Sequence, residues 1–346
     1  GHKTMFLKNA WYAASWSEDL PVKSLIAKTF LKEPVVLFRT EAGIPAALED
    51  RCCHRGAPLS RGLCLGDEIE CGYHGLRFNS DGTCVHIPGQ NNIPPGAQVR
   101  SYPLCERHNV VWIWMGEASK ADETKVPDYF WLDDPAWVAA TGTIAMEANY
   151  QLLVDNLLDF THVTYLHKNT ISSDPAEAVI PVKVERSAET VSVSRWITGL
   201  EAPPLFAKAG GFNGEVDRWQ TTTWRAPSTL AFDVGCARAG TGAMEGNRSQ
   251  GISIWSMHLI TPETETSTHY NWGYVRNFAL DDPQMTNLLR DGARATFMED
   301  VEMIEAQQNN LDGGSVAGMI DINADNPPIQ MRRIMDDLIA AETIGA

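Results

Sequence analysis

Two short clusters of thiol and imidazole donors lie in the first quarter of the chain. Cys52-Cys53-His54-Arg55 sets a cysteine two residues before a histidine, and Cys71-Gly72-Tyr73-His74 sets a second pair three apart. Two thiolates and two neutral imidazoles complete either a tetrahedral zinc site or an iron–sulfur centre. Common zinc patterns begin with C-x2-4-C and lie beside a short helix. Here each loop carries one cysteine and one histidine in strand-rich surroundings, which suits a cluster straddled by two loop tips. Gly56, Gly72 and Gly75 flank the pairs, and their missing side chains would let backbone N–H groups approach a bound sulfide. Cys53 is expected to point away from the Cys52/His54 side. Cys64, Cys84, Cys105 and Cys236 are expected in the core, and His86 and His108 as ordinary hydrogen-bonded residues.

A second donor set lies further on, where Asp159, His162 and His167 spell D-x2-H-x4-H. On a helix Asp159 and His162 would share a face. His162 and His167 would stand about 140° apart around the axis, so both can reach one metal only across a break or a π-type widening. An open site with two histidines needs a carboxylate as third ligand. Asp300 falls on the same helix face as Leu289, Ala293 and Ile304. A charge on a buried stripe is costly unless it is paired or metal-bound. Glu299 and Glu302 fall on other faces and are expected in solvent, and Glu305 is a weaker rival. Two histidines at this spacing, taken alone, also fit unrelated core or surface residues.

The elements that must hold these donors divide into two parts. From Met5 to residue 117, short apolar runs such as Val35-Val36-Leu37-Phe38 and Val110-Val111-Trp112-Ile113-Trp114 alternate with turn signals, which predicts an all-β domain. Gly1–Thr4 read as an expression scar. Residues 118–128 are polar and read as a linker, leaving 129–346 as a second domain. There the pattern predicts a helix over Asn149–His162 and long strands over Val182–Ile197, Thr221–Val234 and Ile252–Phe278. A long helix should open at Asp281-Asp282-Pro283 and run to about Asn309, and a short one over Ile329–Ala341 should close the chain.

Composition bounds the function classes. A formal charge of −16 argues against a nucleic-acid partner, which needs a basic stripe. No run of 18 apolar residues predicts a membrane span, and no secretion-type leader is evident. Seven cysteines, six of them in the first third, fit a metal centre in a reducing compartment better than a disulfide framework, so a cytoplasmic location is expected. No G-x-G-x-x-G and no C-x4-C-x2-C occur, so a nucleotide site or a plant-type ferredoxin cluster must belong to another protein.

On these motifs the chain resembles the Rieske non-haem iron oxygenases. The resemblance rests on C-x-H-R-G-A-P-L at Cys52–Leu59, C-x-Y-H-G at Cys71–Gly75, the turn Asp81-Gly82-Thr83-Cys84, D-x3-D-x2-H-x4-H at Asp155–His167, and a later E-D on a helix. It implies an α+β chain in which an N-terminal all-β Rieske [2Fe–2S] domain precedes a helix-grip (START-like) catalytic domain with an antiparallel sheet. It implies that Cys52 and Cys71 bind one iron of the cluster and His54 and His74 the other, with a potential of roughly −150 to +300 mV. It further implies that His162, His167 and Asp300 hold Fe(II) and that Asn156 lies near that iron. Asp159 would bond both His162 and His74 of a neighbouring subunit, in a head-to-tail ring of three. O2 would be the co-substrate, and electrons would come from a separate NAD(P)H-dependent reductase with flavin and a ferredoxin-type cluster.

Asn9-Ala10-Trp11-Tyr12-Ala13-Ala14, His258–Glu265, and His269-Tyr270 with Arg276-Asn277-Phe278 resemble the vanillate and dicamba demethylases. Arg51-Cys52-Cys53-His54 and Ile87-Pro88-Gly89-Gln90 also resemble the toluenesulfonate methyl-monooxygenases. The expected reaction is O-demethylation of a methoxy aromatic acid such as vanillate, releasing formaldehyde. The alternative is methyl hydroxylation of a toluenesulfonate- or toluate-like acid, and a Rieske electron carrier without oxygenase activity is the third reading. His258 is the candidate substrate contact, against a hydrogen-bonded sheet histidine. Ala231 stands where a dicamba-type pocket would have a polar group.

Overall fold

The computed structural model describes residues 6–167, 180–312 and 318–345. Residues 1–5, where the sequence suggests an expression scar and a start, lie outside the described residues. By internal contacts the chain divides into two units, one up to Asp128 together with Thr261–Glu265, the other Tyr129–Ile260 with Thr266 onward.

The first unit is built of three small antiparallel sheets. β1 (Trp11–Trp16), β10 (Val110–Trp114) and β9 (Leu104–Arg107) form one; β2 (Ile26–Phe30), β3 (Glu33–Arg39) and β4 (Pro45–Glu49) form the second. The third runs β5 (Leu63–Leu65), β6 (Glu68–Glu70), β7 (Arg77–Phe78) and β8 (Cys84–His86). β1 carries Trp11 to Ala14 of the N-terminal motif and is buried along its whole length, with Trp11 edge-on to Trp114 at 5.4 Å. A core of Val36, Phe38, Leu48, Leu59, Ile69 and Phe78 extends to Cys52 and Cys71, so the metal-type loops rise directly from packed apolar ground. The 118–128 segment is two 3-10 turns, Ala118–Lys120 and Glu123–Lys125, rather than an open tether. The Asp122 carboxylate caps the second turn, and its carbonyl accepts from the Trp11 indole.

The second unit is a seven-stranded antiparallel sheet in the order β11 (Val138–Met146), β17 (Ser267–Arg276), β16 (Gly251–Thr264), β15 (Thr229–Arg238), β14 (Glu215–Arg225), β13 (Thr190–Glu201) and β12 (Lys183–Arg186). Each predicted long strand proves to be a hairpin, because Ser187–Glu189, Ala226–Ser228 and Glu265–Thr266 turn the chain back. Helices α1 (Tyr150–Leu157), α2 (Val163–Leu166), α3 (Pro204–Gly210), α4 (Pro283–Asp312) and α5 (Asn326–Ile344) complete it. α4 packs on β11 and β17 with Leu289, Ala293, Phe297, Asp300 and Ile304 buried, the stripe its periodicity predicts. α5 is longer than expected and starts at a proline pair, which is tolerated in a first turn. No helix among the described residues is long and apolar enough to cross a membrane.

The predicted helix over Asn149–His162 is shorter in the structure. Asn149 caps it by accepting from Gln151 N–H, and it ends at Leu157. The stop is local chemistry: the Asp159 carboxylate takes the Thr161 N–H at 2.7 Å and its hydroxyl at 2.6 Å, a competing turn that the helix cannot continue through. Asp159 and His162 therefore do not share a helix face. The break falls before His162 rather than between the histidines, which flank the single turn α2 as its two end residues.

Candidate metal centres

The two Cys/His loops are near copies of one turn. Cys52 N–H donates to Ala57 O at 2.8 Å and Gly56 N–H to Cys52 O at 2.9 Å. Cys71 N–H donates to Leu76 O at 2.7 Å and Gly75 N–H to Cys71 O at 3.0 Å. Gly56 and Gly75 both sit at φ +78, a left-handed conformation that closes each turn and that other residues resist. Their N–H groups are thus spent on cysteine carbonyls and are not aimed at a bound sulfide. Gly62 and Gly72 set the spacing of the loops: a Cβ on Gly62 would lie 1.9 Å from Glu70 O and 3.2 Å from Gly72 N. The Ile87–Gln90 segment covers the second loop, where a Cβ on Gly75 would meet Pro88 Cγ at 3.0 Å.

These turns bring the four donors together. The Nδ1 atoms of His54 and His74 face one another at 3.1 Å from exposed loop tips, while Cys52 and Cys71 are buried beneath. Burial pushes the Cys52 thiol up to about 11, the His54 backbone N–H opposing and Cys71 adding to the rise. A thiol raised in this way stays protonated at neutral pH, so as a free group Cys52 makes a poor nucleophile. An iron–sulfur cluster suits the four donors: sulfur donors on the core side, imidazole donors on the solvent side. Cys53 is exposed, Cys84, Cys105 and Cys236 are buried, and Cys64 is half-buried against the core. His108 pairs with Asp128 at 3.1 Å.

In the second unit His162, His167 and Asp300 offer one ligand atom each, all within 4.8 Å of one another. The two Nε2 atoms are 3.1 Å apart, and Asp300 Oδ1 lies 2.8 Å from that of His167 and 3.3 Å from that of His162. His162 Nδ1–H donates to the Asp159 carbonyl at 2.6 Å and His167 Nδ1–H to Glu299 Oε1 at 3.2 Å. Each bond fixes the tautomer that leaves Nε2 with its lone pair toward the common point. Burial pushes the Asp300 carboxyl up, but the facing His162 and His167 imidazoles outweigh it and hold it below the usual carboxylate range. Burial pushes His167 down, yet Asp300 and then Glu299 leave it raised. A buried carboxylate balanced by two imidazoles, with Nε2 atoms convergent, is a donor set suited to a divalent iron.

Several expectations change here. Glu299 is not solvated but orients His167, and spacing hides this because the pairing depends on a residue 132 positions away. Glu302 is exposed, and Glu305 accepts from Glu147 N–H at 3.0 Å, away from the histidines. The Asp159 contact to His162 is made by its carbonyl, while its carboxylate Oδ1 serves Thr161. Asn156 Oδ1 is buried without a hydrogen-bond partner one turn before Asp159. Asp155 ties α1 to α5 through Arg332, at 3.1 Å to Nε and 2.6 Å to Nη2.

A cavity opens beside this triad. Asp159, His162, His167 and Asp300 form part of its wall, and Leu157, Phe160, Phe206, Phe232, Val234 and Phe297 supply apolar surface. His258 also lines it, fully buried, with Nε2 2.9 Å from Ser256 Oγ and Nδ1 2.5 Å from Tyr270 Oη. Burial pushes His258 down to about 3 despite the charge of Asp300, so it is neutral and engaged at both nitrogens. The cavity wall also includes Arg218, which was not singled out from sequence.

Comparison with known proteins matches residues 10–103 to the Rieske [2Fe-2S] domain and residues 146–341 to the vanillate O-demethylase oxygenase C-terminal domain. The chain is 43% identical to the iron–sulfur subunit of the toluene-4-sulfonate monooxygenase system of Comamonas testosteroni, over 99% of both chains. It is 35% identical to a vanillate O-demethylase oxygenase subunit of a Pseudomonas species, over 99% of this chain and 97% of that one. The crystal structure of dicamba monooxygenase bound to 3,6-dichlorosalicylic acid superposes with a TM-score of 0.92 at 34% identity, covering 98% of this chain and 99% of the other.

Proposed function

This chain belongs to the Rieske non-haem iron oxygenases, in the branch with a vanillate O-demethylase-type catalytic domain, and on that premise we propose that it oxidises a methyl or methoxy carbon of an aromatic acid. The observation that carries the reading is the shared wall: the convergent atoms of His162, His167 and Asp300 border the same cavity as a set of aromatic and aliphatic side chains. An apolar cavity with a few convergent polar groups is how small aromatic substrates are usually held.

In this reading Cys52, Cys71, His54 and His74 hold the [2Fe–2S] cluster, and His162, His167 and Asp300 hold Fe(II). When bound, the two centres supply reductive activation of O2. The chain's own residues do the rest. Glu299 and the Asp159 carbonyl hold the imidazoles, Phe160, Phe232 and Phe297 exclude water and orient the ring, and Asn156 lies beside the iron pocket. Asp159 would join the two centres, its carbonyl holding His162 and its carboxylate reaching His74 of the partner subunit in a trimer. A methoxy substrate would leave as phenol and formaldehyde, a methyl substrate as benzylic alcohol, with O2 and two electrons from a separate NAD(P)H-dependent reductase consumed in each case. The identities, 43% against 35%, favour the toluenesulfonate-type methyl target over vanillate-type demethylation. Seven cysteines without a disulfide support a cytoplasmic location.

The test pairs the protein with a reductase and offers vanillate, other methoxybenzoates and p-toluenesulfonate, measuring O2-coupled formaldehyde and benzylic alcohol. About three irons per chain distinguish the enzyme from a carrier with about two. Turnover of none of these acids by protein with the full iron content would refute the reading.

A further inference from the structure

We propose that Arg218 is the seat of the substrate's anionic group and that its distance from the metal-type triad selects acids whose oxidised carbon lies across the ring from the anion. The proposal deepens the functional reading above and rests on it.

Strand alternation aims β14 at the cavity with every second residue. Arg218, Gln220 and Thr222 line it, while Trp219 turns to the opposite face and packs with Ala237 and Ala243. Arg218 is 3% exposed, and its guanidinium lies 5.6 Å from the ring centre of Phe206, another wall residue. Among the described lining residues it is the single lysine or arginine, whereas Asp159 and Asp300 both contribute carboxylates. Arg218 therefore offers an entering aromatic acid a fixed side-chain cation at the end of the cavity away from the triad. The planar guanidinium fork also matches carboxylate or sulfonate oxygens in a bidentate way that a lysine does not.

The sheet register supplies the ruler. Thr222 pairs with Phe232, and Phe232 pairs with Ser256, whose hydroxyl bonds His258. The Phe232 and His258 rings are 4.6 Å apart, and His258 feels the charge of Asp300, so this row is the triad end. Arg218 is four residues further along β14, about 13 Å at the rise of an antiparallel strand. β17 repeats the same order. Tyr270 bonds His258, and Tyr274, four residues on, is the tyrosine that feels the Arg218 charge. Between the ends, Gln220 is fixed by Arg195, whose Nε donates to Gln220 Oε1 at 2.6 Å. The Arg218 side chain and the triad both reach into that length, and an acid with its reacting carbon para or meta to the anion bridges more of the remaining gap than an ortho acid does. An ortho arrangement puts both groups at one end.

The experiment measures calorimetric Kd, and KM and kcat with a reductase, for the holoenzyme, Arg218→Gln and Arg218→Lys. The ligands are p-toluenesulfonate, its ortho isomer, vanillate, and two neutral analogues, p-tolyl methyl sulfone and the methyl ester of vanillate. Arg218→Gln should weaken the para acid and vanillate by roughly 10- to 100-fold in Kd and KM, the range of a charged hydrogen bond, with a smaller change in kcat. It should leave the neutral analogues within about threefold, and Arg218→Lys should recover part of the loss. In the holoenzyme itself the ortho isomer should bind the weaker of the two sulfonates, a comparison that needs no variant to fold. Equal loss of acids and neutral analogues, unchanged acid binding in Arg218→Gln, or tighter binding of the ortho isomer would each overturn the proposal. Acid binding that depends on Arg218 without any product would refute the oxidation reading and leave the anion seat standing.

Discussion

Truncating Glu299 tests whether the triad is held from behind. Its Oε1 lies 3.2 Å from His167 Nδ1, longer than a tight charge-assisted contact, and its side chain is 25% exposed. Both facts place the effect at the low end for a partner that orients a metal-binding histidine. Glu299→Ala should weaken Fe(II) binding by roughly tenfold, about 1.4 kcal/mol. Glu299→Gln keeps an acceptor oxygen at the same reach and loses only the charge, so a loss of about threefold is expected. The assay is anaerobic titration of Fe(II) into protein that retains its cluster, against a competing chelator, with bound iron counted after separation. Glu302→Ala on the exposed face of α4 is the control. Iron affinity within twofold of the parent for Glu299→Ala, or an equal loss in Glu302→Ala, would refute the argument that this contact orients His167.

Three further outcomes are expected. Asp159→Asn should keep both metals, by iron count and visible spectrum, yet lose turnover; normal product formation would remove the electron-bridge role. His258 sits near 3 when folded and near its ordinary value of about 6.5 when unfolded. The unfolded chain therefore binds an extra proton between those values, and stability should fall as pH is lowered through that window. His258→Gln should flatten that part of a Tm-against-pH curve, and an unchanged slope would speak against a neutral, buried imidazole. Arg332→Met leaves the Asp155 carboxylate, pushed up by burial and held by Arg332, without its cation. Because the Arg332 side chain is 42% exposed the cost should be modest, about 1–2 kcal/mol and a few degrees of Tm. A Tm equal to that of the parent would show the pair to be idle.

The candidate donors were legible in the sequence wherever chemistry and local spacing coincide. Cys52, His54, Cys71 and His74 lie on two turns of six residues, so their convergence needs only local hydrogen bonds and two left-handed glycines. Asp300 was legible because helical periodicity alone puts its charge on a buried stripe. The sheet strands after residue 180 and the helices α4 and α5 also followed from pattern, whereas the hairpin turns inside those strands, β11, α2 and α3 did not.

Tertiary structure decided what periodicity cannot express. A competing side-chain turn at Asp159 ended α1 early and set both histidines at the ends of one short turn, a balance between two hydrogen-bonding schemes that residue spacing does not reveal. Glu299 became a histidine partner, and Arg218 became a buried cation on a cavity wall, only because strands and helices far apart in sequence meet there. Alternation tells which residues share a face of a strand. What that face meets is fixed by packing.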